Sequence, residues 1–294
     1  MTRGDDLGEP AASTLATLPL HRVPVRALVA LGIVAAAIWW LFVAATAADN
    51  DVVGGLLQLR DGTWRIPGLV LQTAAYRDWW EFMTSDPRGF EGVGGTVWEH
   101  VQIVGTSMFY ATLISILLGI AGHRVRAIGS VATSLASIAL TLPSLALFGI
   151  LMTIVGTGDR PPIIALTLYS ILPILRNTLT GIGEVDSAVV EAAQGIGMSP
   201  MRRLLKIELP LAWPVILTGI RVATLLNIGI AAIATLVGGG GLGGYINDAL
   251  NIWGRSEGYY LMWSAVIFTV LLALVTDVLF TVLRALTTSK GLRK

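Results

Sequence analysis

Three ionisable side chains interrupt long apolar runs: Arg176 within Pro161–Gly183, Arg221 within Leu209–Asn247 and Asp277 within Tyr259–Leu283. A charge held in hydrocarbon is costly, so each is a functional candidate. Arg176 lies near enough to the end of its run to reach the membrane surface with its guanidinium, which competes with a substrate role. Arg221 and Asp277 have opposite charge and similar depth, and are expected to pair or to cap backbone groups inside a helix bundle. Val237–Gly244, "VGGGGLGG", is glycine-dense. Gly238, Gly239 and Gly240 permit tight bends and close helix approach, which suits a gate or an ordinary flexible loop. That run lacks the lysine that a G-x-x-x-x-G-K-[ST] phosphate loop places on a nucleotide, and no such loop occurs elsewhere. The histidines His21, His100 and His123 are far apart and form no H-E-x-x-H pair, and cysteine is absent. No metal site and no catalytic residues are therefore expected, and the intramembrane polar groups are too sparse for an enzyme.

The elements that hold these residues follow from composition. Hydrophobic residues make up 54% of the 294 and charged residues 13%, about half the charged share of a soluble domain. A net charge of +1 gives no basic field for nucleic acid. About 20 apolar residues of helix cross a membrane. Uncharged runs of that length cover Ala27–Ala48, Val101–Gly122 and Ala127–Gly158, and the three runs above complete six. The fold class is therefore all-α, a polytopic membrane protein with about six transmembrane helices. The first run is read as an uncleaved helix, because its apolar part is longer than that of a signal peptide and 26 residues precede it. Pro143 sits mid-way in a run longer than one crossing needs and is expected to kink or break it.

Lys and Arg counts set orientation. With the N-terminus inside, the inner segments carry thirteen and the outer segments six, so both termini are expected in the cytoplasm. Residues 1–26 and 289–294 are then cytoplasmic tails, 27–48 the first transmembrane helix and 49–100 an external insertion. The insertion has eight acidic and four basic residues. Its Trp64, Tyr76, Trp79 and Trp80, with Trp98, read as an interfacial aromatic belt or as a cation-binding cage.

Between the fourth and fifth runs lies "EVDSAVVEAAQGIGMSPMRRLLKIELP". Asp186 is placed to cap a helix in which Val189, Ala192, Ala193 and Ile196 form one apolar stripe, with Glu191 off it. Gly195 and Gly197 allow a left-handed turn. Ser199 and Pro200 then restart a helix, with the hydroxyl as cap. Met201, Leu204 and Leu205 form its apolar face, Arg202, Arg203 and Lys206 face water or anionic lipid, and Pro210 opens the fifth transmembrane helix.

Glu191-Ala192-Ala193, Gly197, Ile207 and Leu209-Pro210 stand at spacings that resemble the E-A-A, G, I-x-L-P signature of bacterial ABC importer permeases. A chance match is on the order of one in ten thousand. The resemblance implies a five-helix type I permease core over residues 101–288 and a coupling segment over 184–209, including Met198 and Ser199, that seats on a separate ATPase. ATP and magnesium would be used by that subunit. The implied partners are ABC ATPase subunits, a second permease chain, identical or related, an external substrate-binding protein and membrane lipid. The implied place is the bacterial inner membrane.

"LPSLALFGILMTIVGTGDRPPIIALTLYSILPILRNTLTGI", Leu142–Ile182, with "GIRVAT" and "VGGGGLGGYI", resembles the permeases for glycine betaine, carnitine and choline. Thr153 stands where that subfamily commonly has proline, and the insertion is longer than usual. A permease of the same class for another zwitterion or amino acid is the alternative, followed by an ion-coupled transporter or channel. Pro143, Gly238–Gly240, Arg221 and Asp277 are the expected path or gate residues.

Overall fold

The computed structural model describes residues 58–60, 63–65, 79–252 and 255–287. The chain forms two units, Met1–Arg77 and Asp78–Lys294. In the first, strands β1 (Gln58–Arg60) and β2 (Thr63–Arg65) pair antiparallel, with Leu59 opposite Trp64. This hairpin departs from the all-α expectation. The expected helix over 27–48 lies outside the described residues, as do Tyr76, His21 and both expected tails.

The second unit is helical among its described residues. Four helices are long and apolar enough to cross a membrane: α1 (Phe90–Arg124), α4 (Arg160–Gly183), α6 (Pro200–Ala231) and α8 (Ser256–Thr287). The bent pair α2 (Arg126–Thr141) and α3 (Ser144–Val155) passes the same test of length and hydropathy only when its two helices are taken together, as one broken span. Two short helices, α5 (Ser187–Gly195) and α7 (Gly243–Asn251), lie at opposite ends of α6.

Lipid is as apolar as leucine, so these helices associate by close packing and interhelical hydrogen bonds. At the centre, Ile103, Val104, Met108 and Ala111 of α1 meet Leu166 and Ile174 of α4 and Ala223, Ile228 and Ala231 of α6. Small residues permit the approach: a Cβ on Gly219 would stand 2.7 Å from Asn177 Cβ and 2.8 Å from the Pro173 carbonyl oxygen. Polar bonds tie the same three helices. The Thr167 hydroxyl donates to Ser107 O, the Ser115 hydroxyl to Ile171 O and Asn227 Nδ2 to Leu166 O, each at 3.3 Å. Bonds of this kind contribute about 0.6 kcal/mol each. Asn177 instead donates to Pro173 O of its own helix, 2.8 Å.

Pro143 breaks its run. Leu142, restricted by the following proline, adopts φ −69° and ψ 134°, and α2 and α3 meet at 100°. The Tyr169 hydroxyl of α4 donates to Leu142 O at 3.0 Å and fixes the break in place.

Two boundaries move. α1 starts eleven residues before its apolar run, taking in residues first assigned to the external insertion, because Val93 packs with Leu242, Tyr245 and Leu261. The Leu209–Asn247 run is not one helix. α6 ends at Ala231, and a 3-10 turn (Ala234–Val237) and α7 follow. Pro210 does not open α6 either. The helix starts at Pro200 and passes through a π-turn, Leu204–Glu208, in which Leu209 N donates to Leu204 O. Pro210 has no N–H and its ring crowds the carbonyl four residues back, and the wider turn relieves both.

Candidate functional site

At one end of the bundle, α5 and the start of α6 form helix, turn, helix. Asp186 Oδ1 accepts from Ala188 N at 2.9 Å, so the expected cap is present. Gly197 has φ +79°; its N–H donates to Gln194 O (2.8 Å) and that of Met198 to Ala193 O (3.1 Å). These two bonds define a Schellman turn, in which the residue with positive φ is most readily glycine. A Cβ on Gly197 would meet nothing within 4 Å, so its requirement is conformational and not steric. Gly195 is an ordinary helical residue with open space around it, so it does not share in the left-handed turn. Ser199 occupies the cap position of α6 and its carbonyl accepts from Arg203 N at 2.9 Å, but its hydroxyl makes no cap bond.

Little of this segment is covered. Ala193 and Leu204 are buried, whereas Glu191, Ala192, Val189, Ile196, Met201 and Leu205 are exposed. Ile196 is 78% exposed, so the apolar stripe read from spacing is uncovered except at Ala193. Met198, Ile207 and Leu209 are half-buried and Pro210 is exposed.

Arg203 was expected to face water or lipid. It turns inward: its Nε donates to Glu208 Oε1 at 2.7 Å, with the side chains 11% and 5% exposed. Residues five apart do not share a face of an α-helix, about 100° per residue. The π-turn between them closes every five residues and aligns them. Proline at 210 preceded by an Arg–Glu pair five apart was the available signal. Arg124, ending α1, adds a bond from Nη2 to Pro200 O, 3.2 Å.

At the opposite end, the glycine run is tied down, so the flexible-loop reading fails. Gly240 N–H donates to Asp159 Oδ1 (2.9 Å) and Gly241 N–H to Glu99 Oε2 (3.0 Å), one carboxylate from the start of α4 and one from α1. Gly238 is left-handed and closes the 3-10 turn. A Cβ on Gly239 would stand 3.0 Å from Ala234 O, one on Gly240 2.7 Å from Glu99 Oε2, and one on Gly243 would collide with the Ala232 carbonyl oxygen. His100 lies beneath, fully buried, with Nε2 donating to Ile228 O at 3.0 Å and Nδ1 unpartnered among the described residues. Nearby, Tyr245 donates to Arg88 O at 2.7 Å. The Arg88 guanidinium bonds to Asp86 and holds its carboxyl below the usual carboxylate range. Trp79 donates to Ser264 Oγ at 3.1 Å, and Trp98 is 62% exposed.

Arg221 and Asp277 pair. Both Nε (2.6 Å) and Nη2 (2.5 Å) donate to Asp277 Oδ1, joining α6 to α8 within the bundle. The tertiary structure thus brings together Arg221 with Asp277, and Glu191 to Pro210 with one another, while Pro143 and the glycine run stand apart from both. Among the described residues no group of carboxylates and histidines could hold a metal.

Residues 92–288 match the family described as "Binding-protein-dependent transport system inner membrane component". The chain belongs to that family. Its relatives include the choline transport system permease protein OpuBB of Bacillus subtilis, 39% identical over 197 residues, which are 67% of this chain and 89% of that one. The glycine betaine/carnitine/choline transport system permease protein OpuCB of the same organism is 38% identical over 66% of this chain and 88% of its own length. The osmoprotectant import permease protein OsmY of Salmonella typhimurium is 44% identical over 51% and 67%. Among solved structures, the MetNI methionine ABC transporter in inward-facing conformations aligns with a TM-score of 0.59 and 21% identity, over 70% of this chain and 100% of that chain. At that identity the likeness concerns the fold alone.

Proposed function

We propose that the chain is the membrane-spanning subunit of an ATP-driven importer for quaternary-ammonium osmoprotectants such as glycine betaine, choline or carnitine. It performs no catalysis: partner ATPase subunits use ATP and magnesium, a second permease chain completes the path, and an external binding protein delivers the substrate. The observation that carries this reading is the α5–α6 segment, an exposed apolar stripe beside Glu191 on a turn fixed by Gly197 and anchored through the Arg203–Glu208 pair. A surface of this kind lets closure of a docked ATPase act on α6 as a lever, because α6 is one continuous helix from that surface to the glycine end. The relatives' substrates support the substrate class.

The Lys and Arg distribution supports an inner-membrane protein with both termini, residues 1–26 and 289–294, and the coupling segment 184–209 in the cytoplasm. The glycine run, with Pro143 and the Arg221–Asp277 pair, then belongs to the gate and path. Glu191→Arg tests the coupling role: the protein should insert normally yet lose ATPase-driven uptake in the reconstituted importer. Unchanged assembly and uptake would remove it. ATP hydrolysis measured against a panel of loaded binding proteins identifies the substrate.

A further inference from the structure

α2 presents two unlike faces on either side of its contact with α4. Arg126, Ser130, Thr133, Ser134 and Ser137 follow helical spacing and, with Arg176 of α4, line an opening of about 680 Å³. Val131 and Leu135 lie on the other face, against an apolar opening of about 530 Å³.

The first face is built for something polar and negative. Neither Arg126 nor Arg176 has an ion-pair partner among the described residues, and no carboxylate lines the opening. Thr133 Oγ1 is buried without a partner. Ser137 donates to Thr133 O at 2.7 Å, leaving its oxygen to accept, and Arg176 Nη2 reaches it at 3.5 Å. Hydrocarbon offers such groups no partner, so the face is wetted. It runs from Arg126, the first residue of α2, to Ser137, eleven residues or about 16 Å along the helix, roughly half of the hydrocarbon thickness. Arg176 does not extend toward the surface as its position in the run allowed, because its guanidinium turns to Ser137, so a lipid headgroup that meets Arg126 stops short of that end of the face.

We propose that this face is one wall of the inner vestibule of the transport path, and that Arg176 with Ser137 receives the carboxylate of a departing zwitterion. The inference rests on the importer reading above and deepens it. Two uncompensated guanidiniums favour trimethylammonium compounds that carry a carboxylate over choline, which has none.

The chain contains no cysteine, so single substitutions report cleanly. In the assembled importer in membrane vesicles, Ser130→Cys and Ser134→Cys should react with a membrane-impermeant thiosulfonate from the ATPase side, and more slowly once the ATPases are trapped closed with vanadate. Val131→Cys and Leu135→Cys should react at least about tenfold more slowly, as expected for groups facing lipid. Arg176→Gln should lower the uptake ratio of glycine betaine to choline about tenfold, the loss of one charge-assisted hydrogen bond, with Arg176→Lys retaining most of it.

Equal labelling of both faces, or none on the serine face, overturns the vestibule. So does labelling that is blocked by phosphatidylglycerol and indifferent to vanadate, which assigns the face to lipid. An unchanged uptake ratio in Arg176→Gln overturns the role of Arg176. Uptake by the unsubstituted assembly that needs no ATP would instead remove the importer reading.

Discussion

Removing Glu208 should be among the most damaging single changes in the coupling segment. Its carboxylate and the Arg203 guanidinium are nearly enclosed, 5% and 11% exposed, and bonded at 2.7 Å. With charge centres about 4 Å apart and an effective dielectric of about 20, their attraction is about 4 kcal/mol, offset by desolvation of both ions. Glu208→Leu leaves the guanidinium buried without that attraction, and the expected loss is about 3–5 kcal/mol of stability. Arg203→Met together with Glu208→Leu removes both charges and should recover most of it. Unfolding titrations in mixed detergent micelles give the stabilities, and the double-mutant cycle isolates the pair. The pair also braces the first turns of α6, directly after the exposed turn, so the single variant should hydrolyse ATP with less uptake per turnover. A loss under about 1 kcal/mol for Glu208→Leu would falsify the claim that this pair is buried and structural, since solvated pairs fall in that range.

Gly197→Ala puts a Cβ on a residue at φ +79° and should cost about 1–2 kcal/mol, while Gly195→Ala should be neutral or slightly stabilising; the same titrations compare them. Reversing Arg221 or Asp277 alone sets like charges about 4 Å apart, worth about 4 kcal/mol of repulsion at the same dielectric. The double exchange should restore uptake, and its failure to do so would reject a direct pairing role. Asp86 titrates below its unfolded value in the folded protein because Arg88 bonds to its charged form. Its contribution to stability is complete above the ordinary carboxylate range and is lost as pH falls through the lowered folded value. The pair is partly exposed, so the acid-side loss is small, and Asp86→Asn should flatten it in a thermal-unfolding series against pH.

Periodicity and spacing alone placed Asp186 as a cap, Gly197 at the turn and Pro143 at a break, because each depends on backbone chemistry within a few residues. The opposite charges of Arg221 and Asp277, alone in apolar helices, pointed to each other for the same reason that hydrocarbon penalises a lone ion. Other features depended on contacts that spacing does not encode. Spacing treated Arg203 as a surface cation, and only the π-turn forced by Pro210 turned it toward Glu208. Spacing left the glycine run without partners, and the carboxylates that hold its amides, Glu99 and Asp159, lie 142 and 81 residues away in sequence. The serine face of α2 carries chemistry only because α4 brings Arg176 against it. Local backbone preference was thus fixed by residue type, whereas the carboxylates that hold the glycine run, the groups that meet Arg176 and the apolar residues left uncovered were decided by the packing of helices distant in the chain.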